Sequence, residues 1–203
     1  MLTVGLTGGV ASGKSAVTGM FAKRGVPIVD TDLIAREVVA PGEPGLTAVR
    51  EAFGEEVLTA TGELDRRKLR EIVFADEAQR RRLEGILHPL IRARTLERLR
   101  SLEAPYAIVA VPLLVETGFG KLVDRVLVVD CPEEVQLARL MARDSLTREQ
   151  ATAMIRAQTD RATRLAAADD VIDNGGDLVV TERQVEQLHR KYLELARDRS
   201  ARN

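Results

Sequence analysis

The sequence has few of the residues on which several classes of site depend. Cys131 is the only cysteine, which excludes an internal disulfide, and two histidines are too few for a histidine-rich metal site. The longest runs without a charged residue, Met1–Gly13 and Ala104–Val115, are too short for a membrane-spanning helix. No basic residue precedes Lys14, so the positive region of a signal peptide is missing. These absences predict a soluble, cytoplasmic protein.

The charge balance excludes a second group of functions. The 203 residues include 30 basic and 31 acidic side chains, and the formal net charge is −1. No overall field of one sign directs the chain to nucleic acid or to a membrane surface. Hydrophobic residues make up 45% of the chain and charged residues 30%, which is typical of a folded globular protein. The length corresponds to about one domain with insertions.

Short apolar segments alternate with helical patterns along most of the chain. We predict strands over Leu2–Thr7, Val26–Asp30, Tyr106–Val111, Arg125–Val129 and Asp170–Asp173. Helical patterns lie at about 13–24, at 31–40, after 132, from a capping box at 147–150 and over 178–197. Strands separated by helices predict an α/β fold with a five-stranded parallel sheet and helices on both faces.

A helical block from about 46 to 103 interrupts this alternation. It is rich in Arg and Glu, follows a break at Pro41–Gly45, and contains one predicted turn at Ala60–Gly62. We predict no strand within it. Because such a block has no place in a parallel sheet, we interpret it as an insertion that forms a second wall of a substrate cleft.

The most specific local motif follows the first predicted strand. Gly8–Ser15 has the sequence GGVASGKS, which fits GxxxxGK[ST] in the required strand–loop–helix context; we call these residues the phosphate loop. Glycines let the backbone wrap around a phosphate, and its amides and the helix N-terminus attract the anion. Lys14 is predicted to bind the β- and γ-phosphates of a nucleotide, and Ser15 to hold Mg²⁺. A chance glycine-rich turn is the alternative.

The phosphate loop alone does not define the nucleotide or the reaction. The guanine-binding motif NKxD is absent, which favours an adenine nucleotide or an unspecific nucleotide site. Asp130 follows the apolar segment 126–129 and could hold Mg²⁺, as a strand-end acid does in regulatory ATPases. The alternative for Asp130 is an ordinary strand end before a helix.

Two carboxylates follow the second predicted strand. Asp30 and Asp32 flank Thr31 at a carboxyl end of the sheet, where open α/β sheets bind ligands. One carboxylate can orient metal-bound water while the other accepts a hydroxyl proton. The alternative is that Asp30 or Thr31 only caps the following helix.

Two arginines are candidates for stabilising a transferred phosphoryl group. Arg139 and Arg143 are four residues apart on a predicted helix and therefore share a face. Guanidinium groups suit phosphate because they donate two parallel hydrogen bonds. A solvated basic stripe is the alternative, since 25 of the 30 basic residues are arginines.

Motifs spread over nearly the whole chain resemble those of the dephospho-coenzyme A kinases. They occur in the family's order as TGGVASGKS from Thr7, DTDLIAR from Asp30, HPLI from His88, PLLVE from Pro112, RLMARD from Arg139, Gln158, and ADDVIDN from Ala168. The resemblance implies transfer of the γ-phosphate of ATP to the ribose 3′-hydroxyl of dephospho-CoA, with Mg²⁺. It also implies a small-molecule enzyme that is a monomer or a weak homo-oligomer.

The resemblance also implies roles for individual residues. The catalytic residues would be Asp32 as general base, Lys14 and Arg139. The nucleotide would be bound by Gly8, Gly9, Val10, Ala11, Ser12, Gly13, Lys14, Ser15, Ala16, Arg143 and Asn174. The acceptor would be bound by Asp32, Arg36, His88, Leu113 and Leu114, and the metal by Ser15 and Asp30. For His88-Pro89, a helix start is the alternative.

The resemblance divides the chain into three regions. Residues 1–40, 104–143 and 161–203 would form the nucleotide-binding core, residues 41–103 a helical CoA-binding domain, and residues 144–160 a lid. The chain departs from the family pattern at Ala11, Ala16, Asp160 and Arg164, where Gly, Thr, Pro and Lys are common. The last two departures weaken any assignment of Arg161 or Arg164 as a phosphate contact.

Two other functions remain compatible with the residues. A kinase for a nucleoside monophosphate or another small metabolite would use the same phosphate loop, although the insertion at 46–103 is larger than a minimal acceptor lid. A nucleotide-binding module without catalysis would not require Lys14, Ser15, Asp32 and Arg139 together.

Overall fold

The structure is a computed structural model that describes residues 1–202, with side chains as far as residue 201. A five-stranded parallel sheet flanked by helices confirms the predicted fold class. The strands are β1 (Leu2–Gly8), β2 (Ile28–Asp30), β3 (Tyr106–Ala110), β4 (Arg125–Asp130) and β5 (Asp170–Asp173). Their order across the sheet is β2-β3-β1-β4-β5.

The first strand lies at the centre of the sheet. Leu6 of β1 pairs with Ala110 of β3 on one side and with Leu127 of β4 on the other. The chain adds its next two strands on one side of β1 and its last two on the other. The end of β1 is therefore the point at which the strand order reverses, where sheets of this kind bind ligands.

Nine α-helices connect or follow the strands in the described residues. They are α1 (Lys14–Ala22), α2 (Thr31–Glu37), α3 (Pro44–Phe53), α4 (Arg66–Ala75), α5 (Glu77–Arg100), α6 (Glu133–Asp144), α7 (Arg148–Arg156), α8 (Arg161–Ala166) and α9 (Leu178–Arg202). The predicted capping box is confirmed at α7, where Thr147 Oγ1 accepts from the Gln150 amide and Gln150 Oε1 accepts from the Thr147 amide. Within the described residues, no helix has the length and hydropathy needed to cross a membrane.

The chain divides into two compact units, of which the first comprises Met1–Val29 and Leu102–Asn203. Its main core lies between the sheet and helices α1 and α9. The fully buried side chains of this core include Val4, Leu6, Val17, Phe21, Tyr106, Ile108, Leu127, Ile172, Val185 and Tyr192. Aromatic contacts join the layers, since Tyr192 lies 6.4 Å from Phe21 and 5.5 Å from Tyr106 between ring centroids.

A buried carboxylate ties β5 to β4 and to α9. The Asp170 side chain is only 5% exposed, accepts hydrogen bonds from Arg125 and Lys191, and accepts another from the Tyr192 hydroxyl at 3.1 Å. Burial alone would raise the pKa of the Asp170 carboxyl, but the hydrogen bonds from Lys191 and Arg125 outweigh burial and hold it below its ordinary value. The carboxylate is therefore stabilised as an anion inside this unit.

The second unit, Asp30–Ser101, contains helices α2–α5. Helix α5 packs along α2, α3 and α4, and surface ion pairs join these helices, as between Arg98 and Glu37 at 2.9 Å and between Arg94 and Glu43 at 3.0 Å. The fully buried Val49 and Val57 belong to its interior. Residues 46–101 of this unit contain no strand, as predicted for the helical block, and only an isolated antiparallel bridge between Leu58 and Leu64.

The structure corrects the sequence reading of this helical block in two places. Besides the predicted turn at 60–62, the block breaks at Gly54 and again at Asp76, whose carboxylate caps α5 by accepting from the Ala78 amide. The alternative of a helix start at His88-Pro89 is wrong, because Pro89 lies in the interior of α5. A proline there removes one helical hydrogen bond, and the packing of α5 along three other helices compensates for the loss.

Replacing Asp170 by Asn is expected to lower the free energy of unfolding by about 1–3 kcal/mol at pH 7, because two cationic partners lose their anion. The folded-state pKa of Asp170 lies below the unfolded value, so the wild-type advantage is present above about pH 4 and disappears as the pH falls through the folded-state pKa. Urea unfolding of both proteins from pH 7 to pH 3 measures this difference. A constant difference over that range would contradict the stabilising role of the anion.

Candidate nucleotide-binding site

The phosphate loop connects the central strand to the first helix, since β1 ends at Gly8 and α1 begins at Lys14. The backbone at Ala11 and at Gly13 is left-handed, with φ of 57° and 93°. Glycine adopts this conformation without strain, whereas Ala11 is held in it by the surrounding structure. The sequence predicted this loop, and the structure places it at the reversal point of the strand order.

Side chains hold most of the loop's carbonyl oxygens. Lys14 Nζ donates to the carbonyl oxygens of Gly8 and Gly9, at 2.8 and 3.0 Å. The carbonyl oxygen of Val10 accepts from Gln136 Nε2 at 2.8 Å, and that of Ser12 accepts from Asn174 Nδ2 at 2.7 Å. Because the carbonyl and amide of a peptide point in opposite directions, the bonds to the Val10 and Ser12 carbonyl oxygens aim the following amides, of Ala11 and Gly13, away from Gln136 and Asn174.

The loop has donors left over for an anion. Within the described residues, the amides of Ala11, Gly13 and Ser15 donate no hydrogen bond. The buried Ser12 hydroxyl also has no hydrogen-bond partner there. Unsatisfied backbone donors at the start of a helix suit a phosphate group, which accepts hydrogen bonds at each oxygen. The phosphate loop is therefore prepared for a phosphate ligand.

Asn174 and Arg139 lie against the second half of the loop. Asn174 is 2% exposed, and its Oδ1 accepts from the Thr181 hydroxyl at 3.0 Å while its Nδ2 holds the loop. Arg139 donates to the carbonyl oxygens of Ser12 and Asn174, at 3.4 and 2.9 Å. A methyl group added at Gly13 would collide with Asn174 Nδ2, so this position requires glycine for its space as well as its φ.

Two glutamines bind the two polar backbone groups of Val10 in the first half of the loop; we call this pair of hydrogen bonds the clamp on Val10. Gln136 of α6 donates to the Val10 carbonyl oxygen, and Gln158 accepts from the Val10 amide through Oε1 at 2.8 Å. Gln136 is 6% exposed. Sequence reasoning missed Gln136, which stands beside the buried Leu137 and Leu140 in the apolar pattern of α6 and resembles an ordinary helix residue.

Arg143 and Asp130 are engaged elsewhere. Arg143 forms two hydrogen bonds with Asp144, at 2.8 and 2.7 Å, and this pairing raises the pKa of Arg143. Asp130 accepts three hydrogen bonds from Arg161. Asp130 thus ends β4 as half of an ion pair, which favours the strand-end interpretation over a metal ligand. A nucleotide contact by Arg143 stays a prediction.

The predicted acceptor residues of the first unit differ in accessibility. Leu114 is 2% exposed, and a methyl group added at Gly5 would lie 2.6 Å from its Cδ1. Leu113 is 40% exposed. Of the two leucines, only Leu113 has surface available to a ligand in this arrangement.

The remaining candidates belong to the second unit. Asp30 caps α2, because its Oδ1 accepts from the Asp32 amide at 2.8 Å, so the capping interpretation of Asp30 is confirmed. Asp32 lies in the first turn of α2 and Arg36 one turn later, both exposed and four residues apart on one face. His88 is half-buried within α5.

The family model for dephospho-CoA kinase matches residues 2–179. The chain belongs to the dephospho-CoA kinase family. This family member is 54% identical to the dephospho-CoA kinase of Thiobacillus denitrificans over 98% of this chain and 99% of the relative.

Solved structures agree with membership of the dephospho-CoA kinase family. The crystal structure of TT1252 from Thermus thermophilus has a TM-score of 0.82 at 33% identity, covering 94% of this chain and 97% of that chain. The dephospho-CoA kinase from Campylobacter jejuni has a TM-score of 0.72 at 28% identity, covering 95% of this chain and 97% of that chain. The resemblance drawn from the sequence motifs is confirmed.

The clamp on Val10 gives a test of how this dephospho-CoA kinase family member shapes its loop. We expect Gln136→Leu to weaken ATP binding about tenfold, because the half-buried Val10 carbonyl loses its donor and the peptide can rotate. Titration calorimetry measures the affinity. Gln187→Leu, on the exposed surface of α9, is the matched control and should bind ATP like the wild type. Equal affinities for all three proteins would show that the loop keeps its shape without the clamp.

Proposed function

We propose that this enzyme transfers the γ-phosphoryl group of ATP to the ribose 3′-hydroxyl of dephospho-CoA, giving coenzyme A and ADP. The observation that carries the proposal is the family match over residues 2–179, together with a phosphate loop whose amides are left available. In the transfer, the 3′-oxygen bonds to the γ-phosphorus as the bond to the bridging oxygen of ADP breaks. The hydroxyl proton goes to a carboxylate of the protein.

Lys14 and Arg139 supply positive charge to the phosphates in this proposal. Lys14 bonds the carbonyl oxygens of Gly8 and Gly9, and a triphosphate offers the ammonium group stronger, charged acceptors. Arg139 is anchored on two carbonyl oxygens and forms no ion pair within the described side chains. Both groups would neutralise charge that develops on the transferred phosphoryl group. Arg143 would add to them after leaving Asp144.

Asp32 is proposed as the general base for the 3′-hydroxyl. It is exposed, and it stands two residues beyond the end of β2. Parallel strands present their carboxyl ends to one ligand crevice, which supports a role near the reacting groups. Asp30 is occupied with its helix cap, so of the two acids Asp32 is the better proton acceptor.

The acceptor is proposed to bind through Arg36, His88 and the exposed Leu113, with residues 41–103 as the CoA-binding domain and 144–160 as a lid; the buried Leu114 is left out of this set. A second cation, Arg66, lies beside Arg36 in the second unit, because its Nη2 donates to the Arg36 carbonyl oxygen at 3.4 Å. Burial and the charge of Arg36 both lower the pKa of Arg66. Two adjacent cations favour an anion such as the diphosphate of dephospho-CoA.

The residues present can supply few ligands for Mg²⁺. No cluster of three His, Cys, Asp or Glu that could hold a metal lies within the described residues. Mg²⁺ needs few protein ligands when a nucleotide supplies phosphate oxygens, and the Ser15 hydroxyl is exposed in the first turn of α1. Ser15 is therefore proposed to hold the ion, with Asp30 as a further ligand. Bound Mg²⁺ would screen the charge of the phosphates.

The setting of the enzyme is proposed as well. We expect a cytoplasmic monomer or weak homo-oligomer whose partners are small molecules and not nucleic acids. This expectation rests on the balanced charge and on the small-molecule reaction of the family.

The acceptor assay tests the reaction directly. We expect ADP release from Mg-ATP to depend on dephospho-CoA and to stay near background with AMP or UMP. A coupled assay for ADP, with product mass determined, measures this. Release with AMP or UMP would favour a nucleoside monophosphate kinase, and ATP binding without release for any acceptor would favour a non-catalytic module.

Asp32→Asn is expected to lower kcat by about 10²–10⁴-fold, because the amide cannot accept the hydroxyl proton, while the affinity for ATP changes little. Steady-state kinetics and ATP titration separate the two effects. Near-normal turnover in the folded variant would mean that Asp32 is not the base.

Lys14→Ala is expected to remove transfer and leave the fold intact, since Lys14 is partly exposed and its lost bonds are local. Activity is compared with the circular dichroism spectrum and melting temperature of the variant. A folded and fully active Lys14→Ala protein would contradict the phosphate-binding role of the loop.

A further inference from the structure

Arg164 is an unusual cation in this fold. It is 8% exposed and is the only buried arginine or lysine among the described side chains. Arginine is almost never buried without an anionic partner, because removing its charge from water is costly. Such a residue therefore calls for an account of what balances its charge.

The partners of Arg164 do not balance it. Its Nη2 donates to the carbonyl oxygen of Thr159, and no carboxylate lies within ion-pair distance among the described residues. The buried Asp170 gives a contrast within the same unit, since it is matched by Arg125 and Lys191. The protein neutralises one buried charge and leaves the other without a counter-ion.

The guanidinium group lies beside the phosphate loop. A methyl group added at Gly9 would be 3.1 Å from Nη1 of Arg164. The segment that precedes Arg164 is fixed to the loop, because Gln158 accepts from the Val10 amide. The Thr159 amide also donates to Glu116 Oε1 at 3.1 Å, which holds the segment to the residues after β3. The charge thus has a defined position next to Gly9.

We propose that Arg164 is an electrostatic positioning residue for the nucleotide, whose triphosphate acts as its missing counter-ion across the phosphate loop. The inference rests on the proposed nucleotide binding at this loop. The guanidinium group acts through its charge, without contact to the phosphates, and the Thr159 carbonyl keeps it in place. Its effect should therefore grow with the charge of the nucleotide, in the order AMP, ADP, ATP.

The test compares Arg164→Gln and Arg164→Lys with the wild type in binding of ATP, ADP and AMP by titration calorimetry. We expect Arg164→Gln to weaken ATP about tenfold or more, ADP less, and AMP least, while Arg164→Lys stays within about threefold for all. Arg197→Gln is the matched control. Arg197 is exposed on α9. Its neighbour Arg199 pairs with Asp124, which binds Thr3 at the start of β1. Arg197 therefore lies near the end of β1 that is away from the loop.

The outcomes separate charge from structure. Equal weakening of all three nucleotides by Arg164→Gln, or no weakening in the folded variant, would overturn the proposal. If Arg164→Gln does not fold, the test uses Arg164→Lys, which keeps the charge. The proposal then requires that its ratio of ATP to AMP affinity match the wild-type ratio. A lower ratio would contradict a role through charge. Failure of the proposed function itself would be visible in the wild type, as absent ATP binding or absent transfer to dephospho-CoA.

Discussion

The orientation of a few peptide groups in the phosphate loop is the constraint on which this nucleotide site depends. A peptide cannot direct its carbonyl oxygen and its amide to the same side, so whatever holds the carbonyl also aims the amide. Here the holding groups come from α1, from α6 and from the residue after β5, as Lys14, Gln136 and Asn174. The loop is continuous in sequence, yet its shape is a property of the tertiary fold.

The same constraint explains the place of the loop in the sheet. With β1 at the centre, β4 and β5 lie on one side of it, and the residues that follow them can reach the loop. Asn174 directly follows β5, and α6 starts three residues after β4. A loop after an edge strand would lack such neighbours on one side. The strand order therefore places beside the loop the two segments whose side chains, Gln136 and Asn174, bind its carbonyl oxygens.

Charge is organised locally in a chain whose net charge is only −1. In the helical unit, the half-buried Arg94 and the exposed Arg98 pair with glutamates, and the charges of each pair cancel. Around the phosphate loop, Arg139 and Arg164 donate to carbonyl oxygens instead. Carbonyl partners hold a guanidinium group without cancelling its charge, so Arg139 and Arg164 keep their positive charge for an anionic ligand.

Features set within a few residues could be predicted from the sequence, and features set by packing could not. The strand–loop–helix around Lys14 and the capping box at Thr147 depend on neighbours in the chain, and both were predicted. Gln136 supports a loop more than a hundred residues away in the sequence. Its neighbours in the sequence do not indicate that its side of α6 faces that loop. The helix-start alternative at Pro89 is wrong for a related reason, because local preference favours a helix start where packing extends a long helix. The burial of Leu114 beside Gly5 likewise depends on a contact between distant segments.

The close approach of Asn174 to Gly13, and of Gln136 to Gly9, has a consequence for how such a protein can evolve. At each pair, a side chain on one segment fills the volume that a β-carbon on the other would need. A larger residue at either glycine would displace the end of its partner's side chain, and with it a support of the loop. Selection for the shape of the loop therefore acts on both members of each pair together, even though the two codons lie far apart in the gene.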